Sequence, residues 1–353
     1  MSEREHIAVA MSGGVDSAVA AYLALQQGYQ VTGINLHLDD EPADESLLKC
    51  AEALQIPLLQ ADCRQAFHDR VIAPAAAEYA VGRTPNPCCD CNRVLKFHEL
   101  LRVAQEHGIN RVFTGHYVQL MQDETGVFRL LKGSDQSKDQ SYFLYRLTQN
   151  ELSRVGFPLG QLTKVEVRRI AAEAGLPCAS RPDSQDACFQ IPGECCGETL
   201  RRRCGLPVNR GKFIHNGKIV GKHDGIHRYT IGQRQGLNVA LGVPAYIAAI
   251  DAASGNIYLT TENRELLAGS FTVKQVNWCS GEMPSDGEIS VRIRYRSPGC
   301  DCRFAELDNG DLLVTPGVPL RAVTPGQAAV FYAGNVLLGG GVIDRVGGGE
   351  NAF

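Results

Sequence analysis

The chain opens on an apolar run, His6 to Met11, followed by a glycine-containing turn and a helical spacing from about Ser17 to Gln27. A second apolar run covers Gln30 to Leu36, a second helical stretch Glu45 to Leu54, and a short third run Pro57 to Gln60. Arg111 to Thr114 resumes as a strand and ends in Gly115-His116-Tyr117. Continuous apolar runs alternating with helical periods predict an α/β domain, a parallel sheet covered by helices. Ligands on such sheets sit beyond the carboxyl ends of the strands, which is where the first loop falls. Val81 to Phe97 interrupts the pattern with Gly82, Pro85, Pro87 and three cysteines.

The pattern changes after about Gly193. Thr199 to Ala240 is glycine-rich, with short apolar runs, nine Lys/Arg and one acid, Asp224, and predicts a small basic β-rich module. From Ala245 onward short strands alternate with turns such as Ala253-Ser-Gly255 and Asp308-Asn-Gly310, the signature of an antiparallel barrel or sandwich. The expected units are 1–193, 194–244 and 245–353, with no internal repeat and a frayed tail from Gly347. In Ile289 to Arg296 the apolar side chains alternate with Arg292, Arg294 and Arg296, which predicts a row of arginines on a solvent face, suited to phosphate contact. Arg201-Arg202-Arg203 reads equally as a phosphate contact or as an exposed helix end. His215, His223 and His227 lack acids or thiols in register for a metal and read as surface or RNA-facing positions.

Composition narrows the class. At 353 residues, 44% hydrophobic and 21% charged, the chain has material for real cores. It has no 18-residue apolar run for a membrane span, and its N-terminal apolar stretch is too short for a signal peptide, so a cytoplasmic protein is expected. In that reducing compartment thirteen cysteines are not a disulfide framework, and most read as buried or tolerated thiols. The net charge of −4 excludes a uniformly basic nucleic-acid binder and leaves local patches.

Ser12-Gly13-Gly14-Val15-Asp16-Ser17 lies between a strand and a helix. Glycines let the backbone approach phosphate oxygens, and the helix N-terminus aims N–H groups at them. The Lys-Ser/Thr pair of a kinase-type phosphate loop is missing. Asp16 would repel bare phosphate, a conflict that a Mg²⁺ bridging carboxylate and phosphate resolves. The loop resembles the signature of the ATP pyrophosphatase group, which implies cleavage between the α and β phosphates and an adenylated substrate. Thr84-Pro85-Asn86-Pro87-Cys88-Cys89-Asp90-Cys91-Asn92 offers a Cys-x-x-Cys spacing fit for redox chemistry, metal ligation or sulfur transfer. A helix starting near Asn92 would lower a thiol pKa there.

Over nearly its whole length the chain resembles the tRNA-specific 2-thiouridylases. The resemblance rests on Ser12–Ser17, Gly82–Pro87 with Cys91-Asn92 and Lys96-Phe97, Thr114–Tyr117, Lys138–Leu144, and Asp183-Ser184 with Cys188-Phe189. It continues in Thr230–Arg234 with Gly236-Leu237, Arg294-Tyr295-Arg296, Thr324–Gln327 and Leu338–Gly341. It implies an adenine nucleotide α-hydrolase-like N-terminal domain, a small central β module and a C-terminal β-barrel. It implies 2-thiolation of the tRNA wobble uridine: ATP adenylates the base, a persulfide on Cys188 attacks, and Cys91 releases the sulfur by forming a disulfide with Cys188. It further implies ATP contacts at Ala10, Met11, Ser12, Gly13, Gly14, Val15, Asp16, Ser17, Leu36 and Gly115. The implied tRNA contacts are Asn86, Pro87, Cys88, His116, Lys138, Asp139, Gln140, Arg294, Tyr295 and Gln327. Cys88 is a helper, or with Cys91 and Cys188 a ligand of an iron–sulfur cluster whose open iron binds sulfide. Cys89 is an extra, bland thiol. The implied partners are tRNA and a sulfur-carrier or cysteine-desulfurase-linked protein, with the chain a monomer. Asp39 to Glu45 is shorter than the family's insertion there, and Gln190 to Cys196 replaces a Phe-rich helix.

Two other readings share parts of these features. An amidating enzyme would keep the adenylation and use ammonia or an amine, but needs no paired thiols. An RNA-binding sulfur relay without ATP chemistry needs no intact Ser12–Ser17 loop.

Overall fold

The computed structural model describes residues 4–40, 44–183, 187–284 and 287–347. Ser184 of the Asp183-Ser184 motif and the glycines after Gly347 lie outside the described residues.

The N-terminal unit carries β1 (His6–Ala10), β2 (Gln30–His37), β3 (Leu58–Asp62), β4 (Arg111–Phe113), the hairpin β5 (Val118–Gln122) and β6 (Phe128–Lys132), and β7 (Val155–Gly156). Strands β3-β2-β1-β4-β7 form one parallel sheet in that order. The most apolar run supplies the centre: Ile7, Ala8 and Val9 of β1 are fully buried between two helical layers. Helix α1 (Val15–Gln26) turns Ala18, Ala20, Ala21 and Ala24 inward and packs with helix Lys164–Glu173, through Val19, Val167 and Ala171. Helix His98–Glu106 covers the opposite face with Leu100, Leu101 and Ala104. The chain runs outward from β1 to β3 on one side and to β4 on the other, so a crevice opens beyond the ends of β1 and β4.

The central sheet has the order β10-β11-β8-β9, with β8 (Gly211–His215), β9 (Lys218–His223), β10 (Tyr246–Asp251) and β11 (Asn256–Thr260). This moves the expected boundary at 244. Residues 246–260 complete the central module, because Ile247, Ile257 and Leu259 share its core with Phe213. Helix Cys196–Arg203 belongs to the N-terminal unit instead, with Leu200 packed beside Phe67 and Leu95. Its arginines are partly neutralised: Arg201 pairs with Glu198 and Arg202 with Glu194. His223 and His227 are buried rather than surface positions; His223 meets the Gly255 carbonyl at 3.0 Å, and His227 meets Glu198 at 2.6 Å.

The C-terminal unit contains β12 (Leu267–Ala268), β13 (Ser270–Trp278), β14 (Ser290–Arg292), β15 (Cys300–Glu306), β16 (Leu312–Pro316), β17 (Leu320–Arg321), β18 (Ala328–Ala333) and β19 (Val336–Gly347). Strands β13-β16-β15-β14-β18-β19 close into a barrel through the β13–β19 pairing, around Phe271, Val314, Phe331 and Ile343. The hairpin β5–β6 joins this sheet, Leu131 facing Val336 and Leu130 facing Leu337. Among the described residues no helix is long and apolar enough to cross a membrane.

Candidate nucleotide and thiol site

The first loop lies at the crevice. Gly14 caps α1 with extended backbone, and Gly13 adopts φ +78°, a conformation that favours glycine. The Ser12 amide donates to Ser17 Oγ at 3.2 Å, and the Ser17 hydroxyl donates to the Gly14 carbonyl at 3.0 Å. Behind the loop, the Gly13 carbonyl accepts from the Ser46 hydroxyl at 3.0 Å and from Arg181 at 3.4 Å. Across it, a Cβ on Gly115 would stand 2.8 Å from the Asp16 carbonyl carbon and 3.0 Å from the Ser17 nitrogen. Only glycine allows β4's exit to run this close to the loop.

A cavity of about 270 Å³ opens here. Ala10, Met11, Ser12, Asp16, Ser17, Leu36 and Gly115 line it, all singled out from sequence. Gly13 and Gly14 shape the loop from behind, and Val15 is buried in the core beneath it. Lys96, Thr114, His116 and Gln140 complete the polar wall, with Phe97 and Leu100 beside them.

Asp16 does not stand alone. Its Oδ1 accepts from the Tyr117 hydroxyl and from Lys164 Nζ, each at 2.7 Å. Lys164 also reaches Asp183 at 2.9 Å, and Asp183 pairs with Lys138 at 2.8 Å and with Arg168. Burial opposes the ionised form of Asp183, yet Lys138 and Lys164 hold its pKa at about 2. Sequence reading missed Lys164. It is the first residue of a helix fixed by a capping box, where the Thr163 amide donates to Glu166 at 2.7 Å and Glu166 N–H donates back to Thr163. The box is visible in the sequence; the reach of Lys164 to Asp16 is not.

The thiol segment folds differently from expectation. The helix starts at Pro87, not near Asn92, and runs as α-helix to Cys91, as π-helix over Asn92–Phe97 and as α-helix again from His98. Cys88 is half-buried, Cys91 is 4% exposed and Cys188 is exposed. Burial pushes the Cys91 thiol up to about 12, against the pull of Lys96, and raises Cys88 too. The helix start therefore does not make a resident thiolate. Phe189 anchors the Cys188 segment in the cluster that holds Cys91, packing on Phe67 at 6.1 Å. Asn92 donates to the Phe143 carbonyl at 3.2 Å, and its buried side-chain oxygen has no partner among the described residues. Cys89 is a core thiol, 2% exposed.

Several positions expected to meet RNA are occupied within the protein. Asp139 is 4% exposed; its oxygens take the amides of Gly133 and Ser141 and face Arg292 at 3.3 Å. Gln327 donates to the carbonyls of Thr84 at 2.8 Å and Pro85 at 3.2 Å, clamping the thiol segment to the barrel. The predicted solvent row of arginines is corrected. Strand β14 ends at Arg292, and Arg294 turns inward to the carbonyls of Ile231 and Ala322 and to Thr324 Oγ1, at 3.0–3.1 Å. Arg296 is exposed. Tyr295 packs on Phe143, ring centroids 4.5 Å apart, and Pro87 is buried. Asn86 is half-buried, and Lys138 remains partly exposed beside Asp183. His116 and Gln140 face the cavity. His116 shares a 2.8 Å hydrogen bond with Thr114, and burial, with Lys96 nearby, lowers its pKa to about 3, so its ring is neutral.

The glycine loop on a parallel sheet, with its cavity at the strand ends, defines a nucleotide-binding α/β enzyme. Residues 5–192 match the model of the tRNA methyl transferase HUP domain, 201–261 the tRNA methyl transferase PRC-barrel domain, and 268–343 the aminomethyltransferase beta-barrel domain. A tRNA-specific 2-thiouridylase MnmA of Syntrophotalea carbinolica is 43% identical over 97% of this chain and 99% of its own length. Its counterpart from Chlorobium chlorochromatii is 41% identical over 98% and 99%. The chain belongs to the tRNA-specific 2-thiouridylase family.

Proposed function

We propose that this protein is an ATP-dependent tRNA-uridine 2-sulfurtransferase acting on the wobble uridine. The observation that carries this reading is near-full-length similarity to the 2-thiouridylases, together with a phosphate-loop cavity bordered by Lys96, on the helix that follows Cys91. O2 of the uracil attacks the α-phosphorus of ATP, and pyrophosphate leaves. The terminal sulfur of a persulfide on Cys188 attacks C2, and the bond to AMP breaks. Cys91 then attacks Cys188 Sγ, leaving the sulfur on C2 and a Cys91–Cys188 disulfide, which an external thiol reduces. The exposure of Cys188 suits loading by a sulfur-carrier or cysteine-desulfurase-linked protein. The target base must leave its stack to reach this site. The protein is taken to work as a cytoplasmic monomer.

Asp16 fits a Mg²⁺ held chiefly by nucleotide phosphates, since Mg²⁺ commonly takes only one or two carboxylates and Oδ2 lies free of Lys164 and Tyr117. With ATP bound, that ion would screen phosphate charge. The alternative of an iron–sulfur cluster at Cys88, Cys91 and Cys188 has no support in the structure: among the described residues no three thiols, imidazoles or carboxylates stand together as metal ligands.

Nucleoside mass spectrometry of tRNA incubated with protein, ATP, Mg²⁺ and a sulfide source tests the reading. 2-Thiouridine is expected with wild type. Cys188→Ser should abolish it and still release pyrophosphate. Unchanged tRNA with wild type, despite ATP binding, would overturn the assignment.

A further inference from the structure

Lys96 is a half-buried ammonium that makes no hydrogen bond or ion pair among the described residues. It lines the nucleotide cavity, and the titratable groups that act on it are the thiols of Cys91, Cys188 and Cys88. His116, its other titratable neighbour, is neutral. An uncompensated ammonium in a low-dielectric site is costly, and such sites persist where an anion arrives.

Backbone geometry places Lys96 there. It follows Cys91 by five residues. In an α-helix that offset turns the side chain about 140° away. The intervening Asn92–Phe97 segment is π-helical, and an i→i+5 ladder brings the fifth residue back to within about 50°. The π segment thus sets Cys91 and Lys96 on one side of the helix, at the boundary between the thiols and the nucleotide cavity. π-Turns of this kind recur at functional sites.

We propose that Lys96 is a catalytic residue, the counter-cation of sulfur transfer, holding the thiolate of Cys91 as it attacks Cys188 Sγ. This rests on the sulfurtransferase reading above. The Cys91 proton leaves to bulk base. The Cys91–Cys188 S–S bond forms, the S–S bond to the sulfur on C2 breaks, and that electron pair stays on the departing sulfur. The nucleobase regains a proton at N3 as the thiocarbonyl forms. The ammonium lowers the cost of that ionisation, and without it a thiol buried like Cys91 would ionise more rarely still.

The test is the rate of Cys91 alkylation by iodoacetamide at pH 9, read by peptide mass mapping in the full-length protein without ATP or tRNA. Lys96→Met and Lys96→Gln should each slow it by about tenfold or more, as a one-unit rise in thiol pKa requires. Lys96→Arg should stay within about threefold of wild type. A rate that follows charge across three side-chain sizes cannot come from altered access alone. Equal rates in wild type, K96M and K96Q overturn the proposal. In tRNA thiolation, K96M should shift the rising limb of the pH–rate profile to higher pH; an unshifted limb also overturns it. A wild type that fails to thiolate tRNA defeats the sulfurtransferase reading instead, and is recognisable because the alkylation rates do not depend on it.

Discussion

Lys164 and Asp16 lie 148 residues apart in sequence, yet the Lys164 ammonium stands 2.7 Å from the Asp16 carboxylate at the mouth of the phosphate loop. Lys164 is largely buried and bridges Asp16 to Asp183, so one cation ties the loop to the segment leading to Cys188.

Replacing Lys164 by Met leaves Asp16, which lines the cavity, and Asp183 beside it without their shared cation. ATP binding, followed by calorimetry, should weaken on the order of tenfold, ~1.4 kcal/mol. The protein should also lose about 2 kcal/mol of stability, less than a fully buried pair because Asp16 is partly exposed. Wild-type ATP affinity in K164M would show that Asp16 is not held by this contact.

Gly115→Ala puts a methyl against the backbone of Asp16 and Ser17, which cannot step aside as a side chain could. ATP affinity should fall at least about tenfold, with far-ultraviolet dichroism unchanged. An affinity within twofold of wild type would mean the two segments separate freely.

His116 predicts an acid limb. Its folded pKa is about 3, below the ordinary 6.5. As pH falls through 6.5 the unfolded chain binds the proton and the folded pocket refuses it. Stability is therefore lost progressively from about pH 6.5 down to 3. Between pH 7 and 5 the loss is about 2 kcal/mol from this group. Urea unfolding of wild type and His116→Gln at both pH values measures it; identical pH dependence in the two proteins would contradict a neutral imidazole in the folded protein.

Arg294 distinguishes a structural arginine from a phosphate contact. Its three acceptors join the barrel to the central module. Arg294→Ala should lower stability by about 2 kcal/mol, and Arg294→Lys should restore it only in part, since Nη2 alone meets all three acceptors and the ammonium of the shorter lysine stops short of them. If Arg294 served RNA phosphate alone, the melting temperature would hold and the salt dependence of tRNA binding would drop by about one charge.

The parts of this molecule legible from its sequence are those set by local rules. The apolar β1, the glycines of the phosphate loop and the helix after it announce themselves, because each is specified within about ten residues. The misread parts depend on what comes back from far away. Alternation in Ile289–Arg296 told which side chains oppose the barrel core, and Val291 and Ile293 are indeed buried. It could not tell that Asp139 and the Ile231 carbonyl would occupy the other side. The boundary at 244 failed for the same reason, since β11 pairs in parallel with β8 across an intervening stretch with no local pairing signal. Gln327 looked free for RNA until the fold brought the Thr84 and Pro85 carbonyls to it.

The pairing of β6 with β19 has a consequence for how the protein is made. Leu130 and Leu131 leave the ribosome about 200 residues before Leu337 and Val336, their partners. At ordinary synthesis rates that delay is roughly 10–40 s. Throughout it the hairpin presents an open strand edge, and the thiol segment lacks Gln327 and the Pro325 carbonyl that receives the Thr84 amide. The nucleotide-binding unit is therefore synthesised first but finished last, and a chain cut short before Pro325 retains the phosphate loop with neither support in place.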